Sequence, residues 1–184
     1  LRGGKGYQWE GGIREPYFIK VPQYSKTVKK IDFPVIGTDF YPTILDLANI
    51  DLKPEEHIDG ISLKPLFEQK SIADRPLYWH YPHYGNQGGE PSSIIQENGW
   101  KLIHYWEDGK NELYHLAEDI NEQNDISTQN LELTKQLHNK LNTWLSDVGA
   151  NMPTKDLQYD DILAKKRKDY LKNKFLLILS FGDN

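Results

Sequence analysis

The most constraining feature of this sequence is a run of alternating apolar and polar residues that two tight-turn dipeptides interrupt. Asn98-Gly99 and Asp108-Gly109 separate the segments SSIIQ, WKLIHYW and NELYHL. Asn-Gly and Asp-Gly fit the two-residue turns of β-hairpins, because both central positions of such turns need a positive φ. The segment from residue 92 to residue 116 is therefore predicted to form three antiparallel strands.

Strand alternation assigns the side chains of the middle strand to two faces of this sheet. One face carries Trp100, Leu102, His104 and Trp106. The opposite face carries Lys101, Ile103 and Tyr105. His104 and, on the next strand, His115 are accordingly predicted to be sheet-surface residues rather than metal ligands.

A helix is predicted from about Ser127 to Val148, because the apolar residues of this segment recur at intervals of three and four. Gly149 is expected to end the helix. A small sheet needs an apolar cover, so we expect the helix to lie across it. An amphipathic helix that binds a partner protein would show the same pattern and stays an alternative.

The first sixteen residues, LRGGKGYQWEGGIREP, place a single lysine among glycines. Little bulk surrounds Lys5, and its ammonium group suits an oxyanion such as sulfate or phosphate. A solvated lysine on a glycine-rich turn is the alternative from these residues alone. A P-loop is excluded because Gly6 follows Lys5, and the dinucleotide fingerprint is excluded because Trp9 stands where its third glycine would be.

This segment resembles a loop near the end of the catalytic domain of formylglycine-dependent (type I) sulfatases, in which Gly-Gly-Lys-Gly precedes Glu-Gly-Gly-x-Arg and a proline. The matching positions are Gly3, Gly4, Lys5, Gly6, Glu10, Gly11, Gly12, Arg14 and Pro16. The resemblance implies that Lys5 contacts the sulfate. Three further segments resemble sulfatase patterns: TDFYPTI resembles a helix, DGISLKPLF a turn, and LYHLAEDINEQND the signature that ends the small sheet. The acidic residues of the third segment are expected to fix the turn that leads to the final helix.

The resemblance also implies the fold, which is the C-terminal part of the alkaline-phosphatase-like α/β sulfatase fold with a small antiparallel-sheet-plus-helix subdomain. Residues 1–70 would end the catalytic domain, 75–150 would form the small domain, and 151–184 would be a tail. The polar segment EQKSIADRP is the expected boundary.

Two elements are predicted within residues 1–70. YFIKVP reads as a strand that Pro22 closes. TDFYPTILDLANI reads as a helix capped by Thr38 or Asp39 and ended by Asn49. Its predicted apolar face consists of Phe40, Ile44, Leu47 and Ala48. A cap and a solvated helix position are favoured over metal ligation for Asp39 and Asp46, and turn-forming roles over catalysis for Asp59 and Ser62.

The segment LYWHYPHYGNQGGEP has the most unusual composition of the chain. A strand is predicted over residues 77–81, which places His80 and His83 at the strand end beside Asn86 and Gln87. A metal site at the two histidines would need further ligands, and no nearby group of Asp, Glu or Cys residues supplies them. Packing roles and substrate contacts both stay open. The segment resembles the histidine-rich segment that lines the active-site mouth of polysaccharide-acting sulfatases, which implies that these four residues bind substrate.

Composition narrows the range of partners and chemistry. A formal net charge of -5 argues against a broad basic surface for nucleic acid, and a mean hydropathy of -0.71 predicts a soluble protein. The absence of cysteine excludes disulfides and thiolate metal sites. The apolar run FLLIL near the C-terminus is far too short to cross a bilayer, and together with the basic run KKRK it supports membrane association only weakly.

The sequence has no cysteine for a formylglycine nucleophile, and Ser92 and Ser93, which follow Pro91, do not fit the Cys/Ser-x-Pro/Ala-x-Arg motif of these enzymes. We therefore expect the chain to be the C-terminal part of a longer, periplasmic or secreted sulfatase of sulfated carbohydrates, whose nucleophile and calcium ligands lie upstream. The chain alone is not expected to turn over. Two alternatives are a non-catalytic carbohydrate-binding module and part of a related phosphatase or phosphodiesterase, because Lys5 cannot distinguish sulfate from phosphate.

Overall fold

The computed structural model describes residues 1–24, 30–160, 162–163, 165–166 and 169–170. The chain divides into two compact units, Leu1–Asn151 and Met152–Asn184. The apolar run FLLIL and half of the basic run KKRK lie outside the described residues. In the part of the chain that is described, no helix has the length and apolar character needed to span a membrane.

Among its described residues, the first unit contains four α-helices, one short 3-10 helix (Gly37–Asp39) and one four-stranded sheet. The helices are α1 (Glu10–Ile13), α2 (Phe40–Leu47), α3 (Lys64–Phe67) and α4 (Leu131–Asp147). The strands are β1 (Leu77–Tyr81), β2 (Ser92–Glu97), β3 (Trp100–Tyr105) and β4 (Asn111–His115). The strands are antiparallel and lie in the order β1-β2-β3-β4, so the three predicted strands and the predicted strand over residues 77–81 are all confirmed.

The turn between β2 and β3 has the predicted geometry, whereas the two-residue turn predicted at Asp108-Gly109 is wrong, because residues 106–110 join β3 to β4 and only Gly109 of the pair has a positive φ. Asn98 and Gly99 have φ angles of 51° and 79°, which are the positive values that a two-residue hairpin turn requires. The turn fixes the register, with Ile94 opposite Ile103 and Ile95 opposite Leu102. Successive residues of β2 and β3 therefore lie on opposite faces of the sheet, as the sequence predicts.

One face of the sheet packs against α4. The core between them consists of Ile95, Leu102, Leu113, Leu137, Leu141 and Leu145. The helix begins at Leu131 rather than Ser127, because a carboxylate oxygen of Asp125 accepts the N–H groups of Leu113 and Ser127 and holds that segment in a turn. Gly149, with φ of 60°, follows the helix end as predicted.

His104 also lies on this face and is buried beneath the helix. Its Nδ1 is 2.9 Å from Asn111 Oδ1, and its ring centroid is 4.4 Å from that of His138. Burial and the neighbouring His104 ring lower the pKa of His138. The predicted sheet face of His104 is therefore correct, but the prediction that it lies at the sheet surface is wrong, because it is buried. His115 is partly exposed and its ring contacts Trp100.

The opposite face of the sheet packs against the first sixteen residues of the chain. Its buried residues are Ile94, Ile103, Tyr105, Tyr114 and Leu116. Trp9 and Ile13 pack against this cluster. The glycine-rich N-terminal segment is therefore the second cover of the sheet within the unit Leu1–Asn151, while the division into domains at residues 70–75 stays a prediction.

The strand predicted over YFIKVP is wrong. Residues 17–21 have no regular secondary structure, and the Val21 carbonyl accepts the Tyr24 N–H in a turn, with an N···O distance of 2.9 Å. A strand exists only where a neighbouring strand satisfies its backbone groups, and no described segment pairs with this one. Phe18 consequently remains 92% exposed.

The helix predicted after residue 38 is confirmed as α2, but its predicted apolar face is not the face that is buried. Asn49 follows it with φ of 54°, as expected for a left-handed terminator. Phe40 is 46% exposed and Ile44 is 59% exposed, whereas Pro42 and Thr43 are buried. The apolar side chains of Phe40 and Ile44 therefore do not form the core-facing side of this helix.

Asp39 does not cap α2, although it occupies the residue before it. Its carboxylate accepts the N–H groups of Ile36 and Ile61, both at 3.0 Å, and pairs with Arg75 Nη2 at 2.6 Å. This buried carboxylate thus joins three segments. The expectation that Asp39 has a structural role is met by a different set of donors.

Asp46 is likewise not a solvated helix position. It accepts a hydrogen bond from Ser62 Oγ at 2.6 Å and pairs with Lys64 Nζ at 2.9 Å. The hydrogen bonds from Ser62 and Lys64 lower the pKa of Asp46. Ser62 also accepts the Lys64 N–H, so its predicted turn-forming role is confirmed, whereas Asp59 contributes its main-chain carbonyl, which accepts from Arg75.

Candidate functional site

The Lys5 loop, residues 2–9, is a tight turn whose shape depends on glycine. The Tyr7 N–H donates to the Gly4 carbonyl at 3.0 Å and closes the turn around Lys5. Gly3 and Gly6 have φ angles of 75° and 94°, a region that L side chains disfavour. Lys5 is exposed, and it makes no hydrogen bond or ion pair with any residue that the structure describes.

The helical turn α1 lies directly on the backbone of this loop. The Gly11 N–H donates to the Arg2 carbonyl at 2.9 Å. A Cβ atom on Gly11 would lie 2.3 Å from the Arg2 oxygen, and one on Gly12 would lie 2.0 Å from the Tyr7 oxygen. The Glu-Gly-Gly pattern is therefore needed for the close approach of two backbone segments.

Gly12→Ala is expected to destabilise the protein by about 1–3 kcal/mol, because the new methyl group would clash with a main-chain oxygen that cannot rotate away. The measurement is the free energy of unfolding in urea. Gly4→Ala is the matched control, since a Cβ on Gly4 would meet nothing within 4 Å. Equal losses in the two variants would contradict the close-approach explanation.

A second loop, residues 85–90, packs against the Lys5 loop. A Cβ on Gly6 would lie 3.2 Å from the Gln87 Cβ, and one on Gly89 would lie 2.1 Å from the Gly6 oxygen. Gln8 Nε2 also donates to the Glu90 carbonyl at 2.9 Å. The fold thus brings the loop that carries Lys5 next to the loop that carries Asn86 and Gln87, both of which are exposed.

The two candidate histidines have different surroundings. His80 Nδ1 lies 2.7 Å from Ser93 Oγ, and its Nε2 lies 2.9 Å from the Asn151 carbonyl oxygen. Both ring nitrogens of His80 therefore have protein partners, which is the geometry of a packing residue. His83 is exposed and makes an edge-to-face contact with Tyr81, with the ring centroids 5.6 Å apart.

A buried charged network that sequence reasoning did not find lies beneath the Lys5 loop. Lys101 Nζ is 3.0 Å from Glu10 Oε1 and 2.7 Å from Glu122 Oε1. The Lys101 and Glu122 side chains are fully buried, and that of Glu10 is nearly so. The Glu10 N–H donates to the other carboxylate oxygen of Glu122. Burial raises the pKa of Glu122, and the charge of Lys101 opposes that effect.

A second group of polar side chains extends this network under Trp9. Trp9 Nε1 donates to Glu112 Oε2 at 3.0 Å, and Tyr114 donates to the same oxygen at 2.8 Å. Burial opposes ionisation of Glu112, but hydrogen bonds from Lys110, Trp9 and Tyr114 outweigh it and lower its pKa. Burial raises the pKa of Tyr114, which therefore stays a protonated donor.

Sequence signals for the network exist. Lys101 alternates with Ile103 and Tyr105 on one face of β3, and a lysine on an apolar face needs a buried partner. The acidic segment after β4 supplies that partner as Glu122. The predicted turn-fixing role is confirmed for Asp119, which accepts the Asn124 N–H at 2.8 Å, and for Asp125.

Among the described residues, no group of three or more His, Cys, Asp or Glu side chains could hold a metal ion. The side chains present in this part of the chain therefore do not fit the calcium that the resemblance implies.

Comparison with protein families matches residues 4–147 to the family described as N-sulphoglucosamine sulphohydrolase, C-terminal. The chain belongs to this sulfatase family. The predicted fold class is thereby confirmed, since the family supplies the sulfatase assignment and the structure supplies the small antiparallel sheet with its helix.

The chain is also similar in sequence to individual sulfatases. The chain is 32% identical over 170 residues to a sulfatase of Formosa agariphila, covering 84% of this chain and 30% of that protein. It is 31% identical over 128 residues to an N-acetylglucosamine-6-O-sulfatase of Bacteroides thetaiotaomicron, covering 66% of this chain and 23% of that protein. The sulfatase-family chain thus spans less than a third of the length of either relative.

A solved structure is also similar to the sulfatase-family chain. It is a protein in complex with its substrate, D-glucosamine-2-N,6-O-disulfate, and it shares 31% sequence identity with a TM-score of 0.49. The similarity covers 59% of this chain and 23% of that chain.

Proposed function

We propose that this chain is the C-terminal part of a sulfatase that hydrolyses sulfate esters of a sulfated carbohydrate, and that Lys5 contacts the sulfate. The observation that carries the proposal is the placement of Lys5. Its ammonium group is exposed, has no partner among the described residues, and stands on a loop that is held on the small sheet.

Lys5 would act by electrostatic stabilisation. When the S–O ester bond breaks, its electron pair goes to the leaving-group oxygen, while the non-bridging oxygens carry the negative charge of the sulfate. A preorganised cation stabilises charge on these oxygens without having to move. An ion-paired lysine would first have to break its own contact. Lys5 has none to break within the described residues, so its charge is available to the sulfate.

The neighbouring 85–90 loop would bind the sugar. Exposed Asn86 and Gln87 each offer two donors and an acceptor, which suits sugar hydroxyl groups. Exposed Tyr81 and His83 add a pair of rings in the segment just before this loop. We assign His80 to the support of β1 rather than to the substrate, because Ser93 and Asn151 already engage both of its ring nitrogens.

The sugar substrate is proposed by similarity to the N-acetylglucosamine-6-O-sulfatase. The formylglycine nucleophile, the calcium ligands and the general acid are expected in upstream sequence, and a periplasmic or secreted location is expected from the resemblance alone. The described residues supply a cation and a sugar-binding loop, so the chain by itself is not expected to turn over.

The test is to assay the full-length protein, produced with a formylglycine-generating enzyme and supplied with calcium. N-acetylglucosamine-6-sulfate and N-acetylglucosamine-6-phosphate form a matched substrate pair that differs only in the ester. Release of sulfate is the expected result. Release of phosphate alone would favour a phosphatase, and binding of sulfated glycan without hydrolysis of either ester would favour a carbohydrate-binding module.

A further inference from the structure

Both ends of the Lys5 loop are fastened to the same buried residue. At the start of the loop, Arg2 Nη1 donates to the Glu122 main-chain carbonyl at 2.8 Å and to the Tyr114 hydroxyl at 2.9 Å. At the end of the loop, the Glu10 N–H donates to the Glu122 carboxylate. Glu122 therefore binds the loop through its backbone at one end and through its side chain at the other.

Lys101 completes this arrangement from the sheet. It stands on β3, opposite Tyr114 on β4, and its ammonium group lies between the carboxylates of Glu10 and Glu122. The rigid sheet is thus connected to the loop through ion pairs at 3.0 and 2.7 Å. We refer to Glu10, Lys101 and Glu122 as the buried triad.

Stability alone is a weak reason for such a triad. The desolvation of buried charges offsets most of their attraction, and apolar side chains of similar volume often stabilise a protein equally well or better. In some proteins, buried charged contacts also specify one arrangement of the segments that carry them. The Lys5 loop needs contacts that select one conformation, since Gly3 and Gly6 allow its backbone many alternatives.

We infer that the buried triad positions Lys5 for the sulfate, so that Glu122 and Lys101 are positioning residues of the reaction although neither is exposed. This inference rests on the proposed function. Glu10 directly follows the loop, Glu122 binds the chain at both ends of the loop, and Lys101 connects Glu10 and Glu122 to the sheet. A shift of the loop by about 1 Å would move the Lys5 ammonium group out of its best geometry and can cost on the order of 100-fold in rate.

The test is Glu122→Gln in the full-length protein, with steady-state kinetics on N-acetylglucosamine-6-sulfate. Glutamine keeps the shape and an acceptor oxygen for the Glu10 N–H but removes the charge that pairs with Lys101. We expect kcat to fall about 10- to 100-fold, with a smaller change in KM. Glu118→Gln is the matched control, because the same substitution is made in the same segment at a side chain that is 81% exposed.

A double-mutant cycle with Lys5→Ala separates positioning from a general structural effect. If the triad acts through Lys5, Glu122→Gln will change kcat by less than about twofold when Lys5 is already absent. An equal loss of kcat in both backgrounds, or no loss in the presence of Lys5, would overturn the inference. Lys101→Arg, which keeps the charge but changes its shape, replaces Glu122→Gln in the cycle if that variant does not fold.

Hydrogen exchange followed by mass spectrometry tests the triad independently of activity. Glu122→Gln is expected to speed amide exchange in peptides covering residues 2–12 and to leave peptides covering β2 and β3 unchanged, whereas Glu118→Gln should do neither. If the protein hydrolyses no ester, the proposed function fails. Amide exchange still shows whether the buried triad orders the Lys5 loop. Unchanged exchange over residues 2–12 would overturn it.

Discussion

Lys5→Ala in the full-length protein is expected to lower kcat for sulfate ester hydrolysis by about 100- to 1,000-fold, which is the cost of removing one preorganised charge-stabilising group from an active site. Lys5 is exposed and has no partner among the described residues, so its removal breaks no contact there. The free energy of unfolding should therefore change little. Steady-state kinetics and urea denaturation of the same preparation measure the two quantities.

The matched control for this prediction is Lys135→Ala. Lys135 is an exposed lysine on α4, where alanine preserves the helix, so this variant changes net charge by the same amount away from the loop. Lys5→Arg is expected to keep part of the activity because the positive charge remains. Equal kcat in Lys5→Ala and in the unsubstituted protein would remove Lys5 from the mechanism.

The parts of the fold that sequence patterns predicted are those determined by neighbouring residues. Asn98-Gly99 fixes its hairpin because the two positive φ angles arise within the dipeptide itself. The apolar spacing in α4 similarly shows which side faces the sheet. Both predictions depend on properties of one short segment, so a single sequence is sufficient for them.

The errors arise where a distant segment decides the outcome. YFIKVP has the composition of a strand, but it forms none because no described segment pairs with it. Asp39 resembles a helix cap, but Arg75 and the Ile61 N–H, more than twenty residues away, take up its carboxylate. Local propensity cannot show which distant donors will reach a carboxylate.

The sequence proposed residues for the candidate site but could not show how they are arranged. The sequence pattern selected Lys5, Asn86 and Gln87 separately, whereas their proximity depends on glycine-to-glycine contact between two loops eighty residues apart. It also grouped His80 with His83. The structure separates them, because His80 lies in β1 with both ring nitrogens engaged, while His83 lies in the exposed loop.

Lys101→Met is expected to lower the free energy of unfolding by about 3–5 kcal/mol, because it leaves the carboxylates of Glu10 and Glu122 buried without their shared cation. Lys110→Met is the matched control. Lys110 pairs with Glu112 at 2.7 Å but is 51% exposed, so its loss should cost below about 1 kcal/mol. Equal losses in the two variants, measured by urea denaturation, would show that burial does not set the cost.

The loss in Lys101→Met should also depend on pH, and its sign follows from Glu122. Burial raises the pKa of Glu122 above its ordinary 4.5, so protonation of this carboxyl favours the folded state. That stabilisation is complete below the unfolded-state pKa and is lost as pH rises through the folded-state pKa. Removing Lys101 raises the folded-state pKa further, since the cation that favours the ionised form is gone.

The stability gap between Lys101→Met and the unsubstituted protein should therefore narrow as the pH falls from 7 towards the ordinary pKa of glutamic acid, about 4.5. Combining Lys101→Met with Glu122→Gln should narrow the gap already at pH 7, because one of the two unpaired charges is then absent. A gap that stays constant with pH, and that Glu122→Gln leaves unchanged, would mean that the lost stability comes from packing around the lysine stem and not from stranded carboxylates.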